Sequence, residues 1–353
     1  MLNAKTRALV AKYSEGLAAV SQAKNGREMF SLLPPHQNTL HEQIMHTEEF
    51  LQLITMLMVE QVKGQVVYTG NPQLFTGRVK DGRFNRQLDV DGNQYELYET
   101  DSGSYLPYTT LTTWANAGTE DEFLSRIQAF SNRSFALDML RIGFNGTSAA
   151  AANSNPEENP NGEDVNIGWH QIVKNRSPGQ IITDIPIFDR AAANADANSV
   201  DALVADLKFN YIREEFRSNP DLVVLIGADL LAADVVTMMN KVDRPTEKVA
   251  AGLIGRDIAG MKAYTPPYFP SRRLVVTTTK NLHLYTQANT GFRRADWVDD
   301  RKRFENNYLR TEGYAIEYDE LYAGYDEIQL GENTEGEVKE VAGSDEAPTG
   351  NEE

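Results

Sequence analysis

The sequence predicts an α+β fold, and three observations carry that prediction. Residues 119–145 have the pattern of a single long helix with a start and a stop signal. Between 63 and 108, and again from 221 to 328, short apolar runs of strand length alternate with turn residues. The chain has 353 residues with 41% hydrophobic content, enough for about two domains and a sizeable core.

The helix at 119–145 is the most explicit element. Thr119 is placed as N-cap, and Glu122 three residues later completes a capping box. Asp121 and Glu122 put negative charge in the first turn, where the helix dipole favours it. Phe123, Ile127, Phe130, Ser134 and Leu137 recur at spacings of four and three and predict a mostly apolar face. Gly146 follows as a stop. At ~1.5 Å per residue the rod is roughly 40 Å long, which requires something long to lie along.

Bulk composition excludes several functions. There are no cysteines, so disulfides, thiol catalysis and cysteine-ligated metals are out. No signal peptide core and no run of ~18 apolar residues is present, which predicts a soluble, intracellular chain with no membrane partner. The formal net charge is −17, which argues against wrapping nucleic acid with the whole surface but leaves room for a local basic patch.

In chain order, residues 1–24 read as a small amphipathic helix with Leu2, Leu9, Tyr13, Leu17 and Val20 on one face. Through Phe30 there are five Lys and Arg against Glu15 and Glu28, a net +3 in an acidic protein. Either a docked terminal helix or a separable arm with its own partner fits. The consecutive Pro34 and Pro35 predict a break in helix and an extended boundary. A second helical pattern covers 37–62, with Leu40, Ile44, Phe50, Leu51, Ile54 and Leu57 apolar. His36, His41 and His46 fall within and just before it at every fifth residue, about 140° apart around a helix, so they cannot converge on one metal.

Residues 63–108 alternate aliphatic and aromatic residues broken by glycines, and predict one or two extended hairpins with too little apolar content for a core of their own. The sequence DVDGN at 89–93 superficially suggests a calcium loop. Its glycine is at the fourth place instead of the sixth, and Thr100 stands where a bidentate glutamate belongs, so a hairpin turn is the reading. Residues 147–164 and 183–197 are loops. Residues 199–217 predict a helix capped by Ser199, burying Val200, Leu203, Leu207, Tyr211 and Phe216. The run 221–227 is a buried strand followed by a helix over 228–242. That strand–glycine–helix unit has neither a P-loop nor a GxGxxG, and Asp229 would repel phosphate.

Strands are predicted at 273–279 and 281–285. Arg293, Arg294, Arg301, Lys302 and Arg303 then mix with Phe292, Trp297 and Phe304. Asp296, Asp299, Asp300 and Glu305 are interleaved, which favours salt bridging over nucleic-acid binding. Residues 314–328 are strand-like. From 331 to 353 there are eight acids and one lysine, a net −7, the composition of a disordered tail. Paired histidines, Ser-His-Asp patterns, GxSxG and HExxH are absent at credible spacing. No residue is nominated as catalytic, cofactor-binding or metal-ligating, and no cofactor is expected.

Four groups of motifs, in this order and at these separations, carry a resemblance: IGFNG at 142–146, VNIGWHQ at 165–171, NPDLVVLIG at 219–227 with LLA at 230–232, and PYFP at 267–270 with NLHLY at 281–285. With them the chain resembles a tailed-phage major capsid protein of the peduovirus type, over about residues 30–328. Such subunits have the Hong Kong 97-type capsid fold. The resemblance implies an N-terminal assembly segment at 1–30, trimmed by a phage protease near Phe30 and Ser31, and an N-terminal arm at 31–62. It further implies an extended loop at 63–108 that reaches a neighbouring subunit, and a peripheral domain at 109–180 whose spine helix is 119–145. The axial domain would be 181–310, with return strands at 311–330 and the acidic tail at 331–353.

The implied function is self-assembly into pentamers and hexamers of an icosahedral head enclosing double-stranded DNA, with no enzymatic activity. The implied partners are other copies of the chain, a portal protein at one vertex, a scaffold and maturation protease, and packaged DNA through weak non-specific contact. The implied location is the virion capsid, preceded by the host cytoplasm. Two alternatives are a soluble α/β enzyme of unknown chemistry and a phage scaffold or decoration protein.

Overall fold

The computed structural model describes residues 4–66, 76–85, 92–117, 119–150, 153–189, 196–240 and 257–331. Leu2, the Asp89–Asp91 part of the DVDGN turn, Lys241 and Val242 of the 228–242 helix, and the acidic tail beyond Gly331 lie outside them. Helix α1, Ala4–Val20, is followed by the two-residue strand β1, Phe30–Ser31. Next come α2 (Pro34–Met45), α3 (Glu49–Leu53) and β2 (Thr55–Val59). A small hairpin of β3 (Lys63–Gln65) and β4 (Gln94–Glu96) forms the base of the 63–108 excursion. Its return limb is the long strand β5, Tyr98–Pro107, leading into α4, Tyr108–Asn116.

The spine is α5, Glu120–Asn145, with Thr119 as N-cap and both halves of the capping box in place. Its first turn holds Glu120, Asp121 and Glu122, as the dipole favours. The buried side is rotated from the expected one. Phe123 and Ile127 are buried, and the row continues through Ser131, Phe135, Ala136, Met139 and Ile142, while Phe130 is 40% exposed and Ser134 and Leu137 are only half-buried. Gly146 ends the helix with an extended backbone, φ −60°. Glycine is required there by contact: a Cβ would lie 2.2 Å from the Asn166 carbonyl oxygen.

After the spine come α6 (Trp169–Arg176), β6 (Ile181–Ile182), β7 (Ile187–Phe188) and α7 (Val200–Asp206). Strand β8 (Leu222–Ile226), helix α8 (Ala228–Asn240), and strands β9 (Asp257–Ile258), β10 (Met261–Tyr264) and β11 (Leu274–Thr278) follow. The chain closes with β12 (Leu282–Gln287), β13 (Phe292–Val298), β14 (Arg303–Ile316), β15 (Ala323–Tyr325) and β16 (Gln329–Leu330).

Two six-stranded sheets organise these elements. The larger runs β1-β13-β14-β12-β2, with β5 on the far side of β14. The second runs β6-β15-β11-β8-β10-β9. Strand β8 is LVVLI with every residue buried, as expected of a strand covered on both faces. The spine lies against the larger sheet, with Phe135 near Tyr308 (ring centroids 6.0 Å) and the Tyr314 hydroxyl donating to the Met139 carbonyl at 2.7 Å. No helix among the described residues is long and apolar enough to cross a membrane.

Several expectations are corrected. The prolines do not break a helix but start one: Pro34 and Pro35 occupy the first turn of α2, where a missing N–H costs nothing. The helix expected to Val62 ends at Leu53, and Thr55–Val59 is a strand parallel to β12. The 199–217 helix keeps its Ser199 cap but becomes a π-turn over Leu207–Tyr211 and a 3₁₀ turn at Glu214–Phe216, leaving Tyr211 and Phe216 half-buried. Residues 181–310 span both sheets, since β12, β13 and most of β14 lie on the sheet that carries the spine. Of 311–330, β15 joins the second sheet.

Candidate functional surfaces and the polar clusters that shape them

Strand β14 alternates, and its inward side chains are Phe304, Asn306, Tyr308, Arg310 and Glu312. A polar face therefore meets the spine. Arg310 Nε donates to Glu312 Oε2 at 2.6 Å, Nη2 to Glu312 Oε1 at 2.7 Å, and Nη1 to Ser102 Oγ at 2.8 Å. Burial works against the Arg310 charge, but the Glu312 carboxylate more than offsets it, and its pKa stands above the usual arginine value. This is a fully satisfied bidentate pair, the geometry a buried pair requires.

Arg293 on β13 is equally buried and less well matched. Its Nη2 donates to Asn306 Oδ1 at 2.9 Å, while Nε and Nη1 have no hydrogen-bond partner. The rings of Phe135 and Tyr308 lie 5.6 and 5.5 Å from the guanidinium carbon, so its charge rests on π-faces. Burial lowers its pKa. The salt bridging expected of this basic region holds for Arg294 with Asp296 and for Arg301 and Arg303 with Glu305, but not for Arg293.

Helix α1 docks on this region. Tyr13 donates to Gln128 Oε1 of the spine at 2.8 Å, and Ser14 Oγ to the Ala295 carbonyl at 2.6 Å. Leu9, Val10 and Tyr13 share a core with Phe123, Ile127 and Phe304. Phe30 and Ser31, the expected processing residues, pair with Arg293 and Phe292 as β1. Phe30 is buried and Ser31 exposed, so the peptide between them is already extended at the protein's rim. His36 is half-buried, His41 buried and His46 exposed on or beside α2.

A second cluster joins α6 and the end of the spine to the second sheet. Asp326 receives Lys174 Nζ and Arg273 Nη2, the latter at 3.1 Å, and His170 Nε2 stands 3.2 Å from its Oδ1. His170 Nδ1 is 3.1 Å from the Tyr322 hydroxyl. Arg273 Nη1 also donates to the Phe144 carbonyl at the end of the spine, at 2.8 Å. The hydrogen bond from His170 holds the Asp326 carboxyl far below its usual range; burial opposes this and Lys174 adds to it.

His41 and His170 are both pushed down to about 4, chiefly by burial and secondarily by Arg310 and Arg273 respectively. A histidine buried neutral contributes stability that is complete above the unfolded value near 6.5 and is lost as pH falls from there toward 4. The shift corresponds to roughly 3 kcal/mol per ring at most. Unfolding free energy is expected to drop between pH 6.5 and 4, and less steeply in His41→Leu, whose ring nitrogens have no partner to lose. Denaturant titrations at a series of pH values check this; equal slopes for the two proteins would contradict it.

The outer surface carries aromatic groups. Phe130 and Trp114 meet edge-on at 6.4 Å, and the Arg303 guanidinium lies 4.4 Å from the Tyr105 ring, which is 57% exposed. At the far end of the spine, Tyr268 has a left-handed backbone, φ 59°, and Arg141 lies over its ring at 3.8 Å. Asn145 Nδ2 donates to the Tyr268 carbonyl at 2.9 Å. Exposed, pre-positioned aromatics of this kind suit protein–protein contact. Sequence reasoning missed both the buried arginines and these surfaces. Among the described residues, no group of three or more His, Asp or Glu is placed to hold a metal ion.

Residues 9–328 match the family described as phage major capsid protein, P2 family. The chain is 28% identical over 307 residues to the capsid protein of Escherichia phage P2, covering 82% of this chain and 84% of that one. It is 29% identical over 282 residues to the major capsid protein of Serratia phage KSP20, covering 75% and 79%. It also superimposes on a chain of the satellite phage P4 procapsid that includes the size determination (Sid) protein. The TM-score is 0.74 at 25% identity, with 94% of this chain and 99% of that one covered.

Proposed function

Since this chain belongs to the P2 family of phage major capsid proteins, we propose that its copies form the pentamers and hexamers of an icosahedral head around double-stranded DNA. It has the Hong Kong 97-type capsid fold, is a structural protein and not an enzyme, and is a component of the phage capsid. The observation that carries the finer reading is the likeness to the P4 procapsid chain over 94% of this one. A closed shell is built from modest contacts repeated by rotation, and arms or loops that order on docking let one sequence fill both capsomers.

In this reading 1–30 is an assembly segment removed near Phe30 and Ser31, 31–62 an arm, and 63–108 a loop laid on a neighbour. The spine and the larger sheet make the peripheral part, and the second sheet faces the five-fold and six-fold axes. A portal at one vertex, a scaffold and a maturation protease are the assembly partners, met in the host cytoplasm. Sedimentation of the purified chain should give capsomers or particles far larger than 39.4 kDa; a persistent monomer would contradict the reading. Intact-mass analysis of finished heads should show a chain beginning near Ser31, and a chain that retains residues 1–30 would remove the trimming step.

The net charge of −17 fits an inner wall that lets packaged DNA slide. Purified subunits are expected to bind DNA weakly at any salt concentration. Tight binding with a steep salt slope would contradict this.

A further inference from the structure

We propose that the cavity between α1, α2 and the spine binds a small aliphatic carboxylate, whose charge meets the buried Arg293. The cavity measures about 430 Å³, the size of a site for one small molecule. Leu17 of α1, Leu32 and Leu40 at α2, and Leu124 of the spine line it, so an aliphatic body touches all three helices. Arg293 belongs to the same wall and, at 1% exposed, is the most buried residue in it. Ser21, buried in that wall too, has a hydroxyl with no hydrogen-bond partner among the described residues.

The chemistry of the ligand follows from what Arg293 lacks. Among the described residues no carboxylate is in contact with it, and its Nε and Nη1 donate to nothing. The groups that do touch it are neutral: Asn306 accepts from Nη2, and the rings of Phe135 and Tyr308 flank the guanidinium. The nearby Tyr13 hydroxyl is already engaged, donating to Gln128 and accepting from Asn306. A buried ion without a counter-ion is costly, and water in the cavity would bring no charge. A carboxylate brings that charge on a planar group that suits a guanidinium. Lys12 does not compete for it, since Lys12 sits at the exposed rim and is paired with Glu120. The site needs one folded subunit with α1 attached, so it stands apart from the shell reading.

Isothermal titration calorimetry of the purified full-length chain with octanoate should show one site per subunit. Octan-1-ol keeps the aliphatic body without the charge, and acetate keeps the charge without the body. Each should bind at least about tenfold more weakly, the worth of a charged hydrogen bond or of a buried aliphatic chain. Arg293→Met should weaken octanoate by the same factor and leave octan-1-ol unchanged. Gly16 lines the cavity from an exposed position on α1, and a Cβ there meets nothing within 4 Å. Gly16→Leu therefore keeps the fold and fills the cavity. It should cut octanoate affinity at least about tenfold, whether or not Arg293→Met folds. No octanoate binding, equal affinity for octan-1-ol or acetate, or full affinity in either variant would overturn the proposal.

Discussion

Proline at position 136 is expected to break the spine and abolish shells. Ala136 is fully buried in the middle of α5. The substitution removes the residue's N–H from the helix ladder and drives the ring against the carbonyl of the preceding turn, at a cost of ~3 kcal/mol or more. The position matters because α5 joins two cores. Phe123 and Ile127 pack with Leu106, Leu111 and α1, whereas Met139, Leu140 and Phe144 pack with Trp169, Leu284 and Tyr314. A kink between them turns one anchored half away from the other. Ala136→Gly, with a cost nearer 1 kcal/mol, is the graded comparison. Denaturant midpoints and particle counts by negative stain measure the effect, and normal shells from Ala136→Pro would remove the continuous rod from the account.

Removing Glu312 is expected to have an effect of similar size. Glu312→Ala leaves Arg310 charged, fully buried and deprived of two of its three hydrogen-bonding contacts, with only Ser102 left. Breaking one side of such a pair typically costs ~3–5 kcal/mol, because the remaining ion is uncompensated. The double substitution Arg310→Met with Glu312→Leu removes both charges and should recover most of the lost stability. If the single and double variants unfold at the same denaturant concentration, the pair is not what holds β14 to its neighbours. This test also asks whether the polar face between spine and sheet serves stability or register, since apolar replacement can leave stability intact while blurring the alignment of strands.

The spine is readable from Thr119, Glu122 and the 26-residue pattern because caps and periodicity are local. Its buried side is not. The row Ser131, Asn132 and Phe135 faces Asn306 and Tyr308, so a polar interface hides the true phase. The same cause conceals β14, whose inward positions include Asn306, Arg310 and Glu312; a strand reading based on apolar alternation passes over them. β2 reads as helix because Ile54 and Leu57 fit helical spacing and Met and Leu are good helix formers. Pairing with β12, far along the chain, overrides that preference. Pro34 and Pro35 read as breakers when they are N-terminal starters, which sequence alone distinguishes only once the preceding residues are known to be extended. The strand–glycine–helix unit at 222–240 is legible, since β8 and α8 are marked by a continuous apolar run and a glycine. Gly227 is needed there because a Cβ would meet the Ser271 carbonyl oxygen at 2.0 Å.

The family motifs carry the functional reading further than any single residue does. WHQ at 169–171 places Trp169 against Gly143, where a Cβ would come within 2.4 Å of the ring, and His170 beside Asp326. PYFP at 267–270 buries Phe269 against Phe144 and turns Tyr268 outward. These motifs are joints between spine, sheets and surface, which explains why none of them resembles a catalytic site.

Cryo-electron microscopy of the particles formed by the expressed chain tests self-tiling most directly. The expected map shows rings of five and six subunits, the second sheet nearest each ring axis and α5 lying along the shell outside it. A preparation containing only separate globules, or rings in which 120–145 is not one rod, would contradict the account.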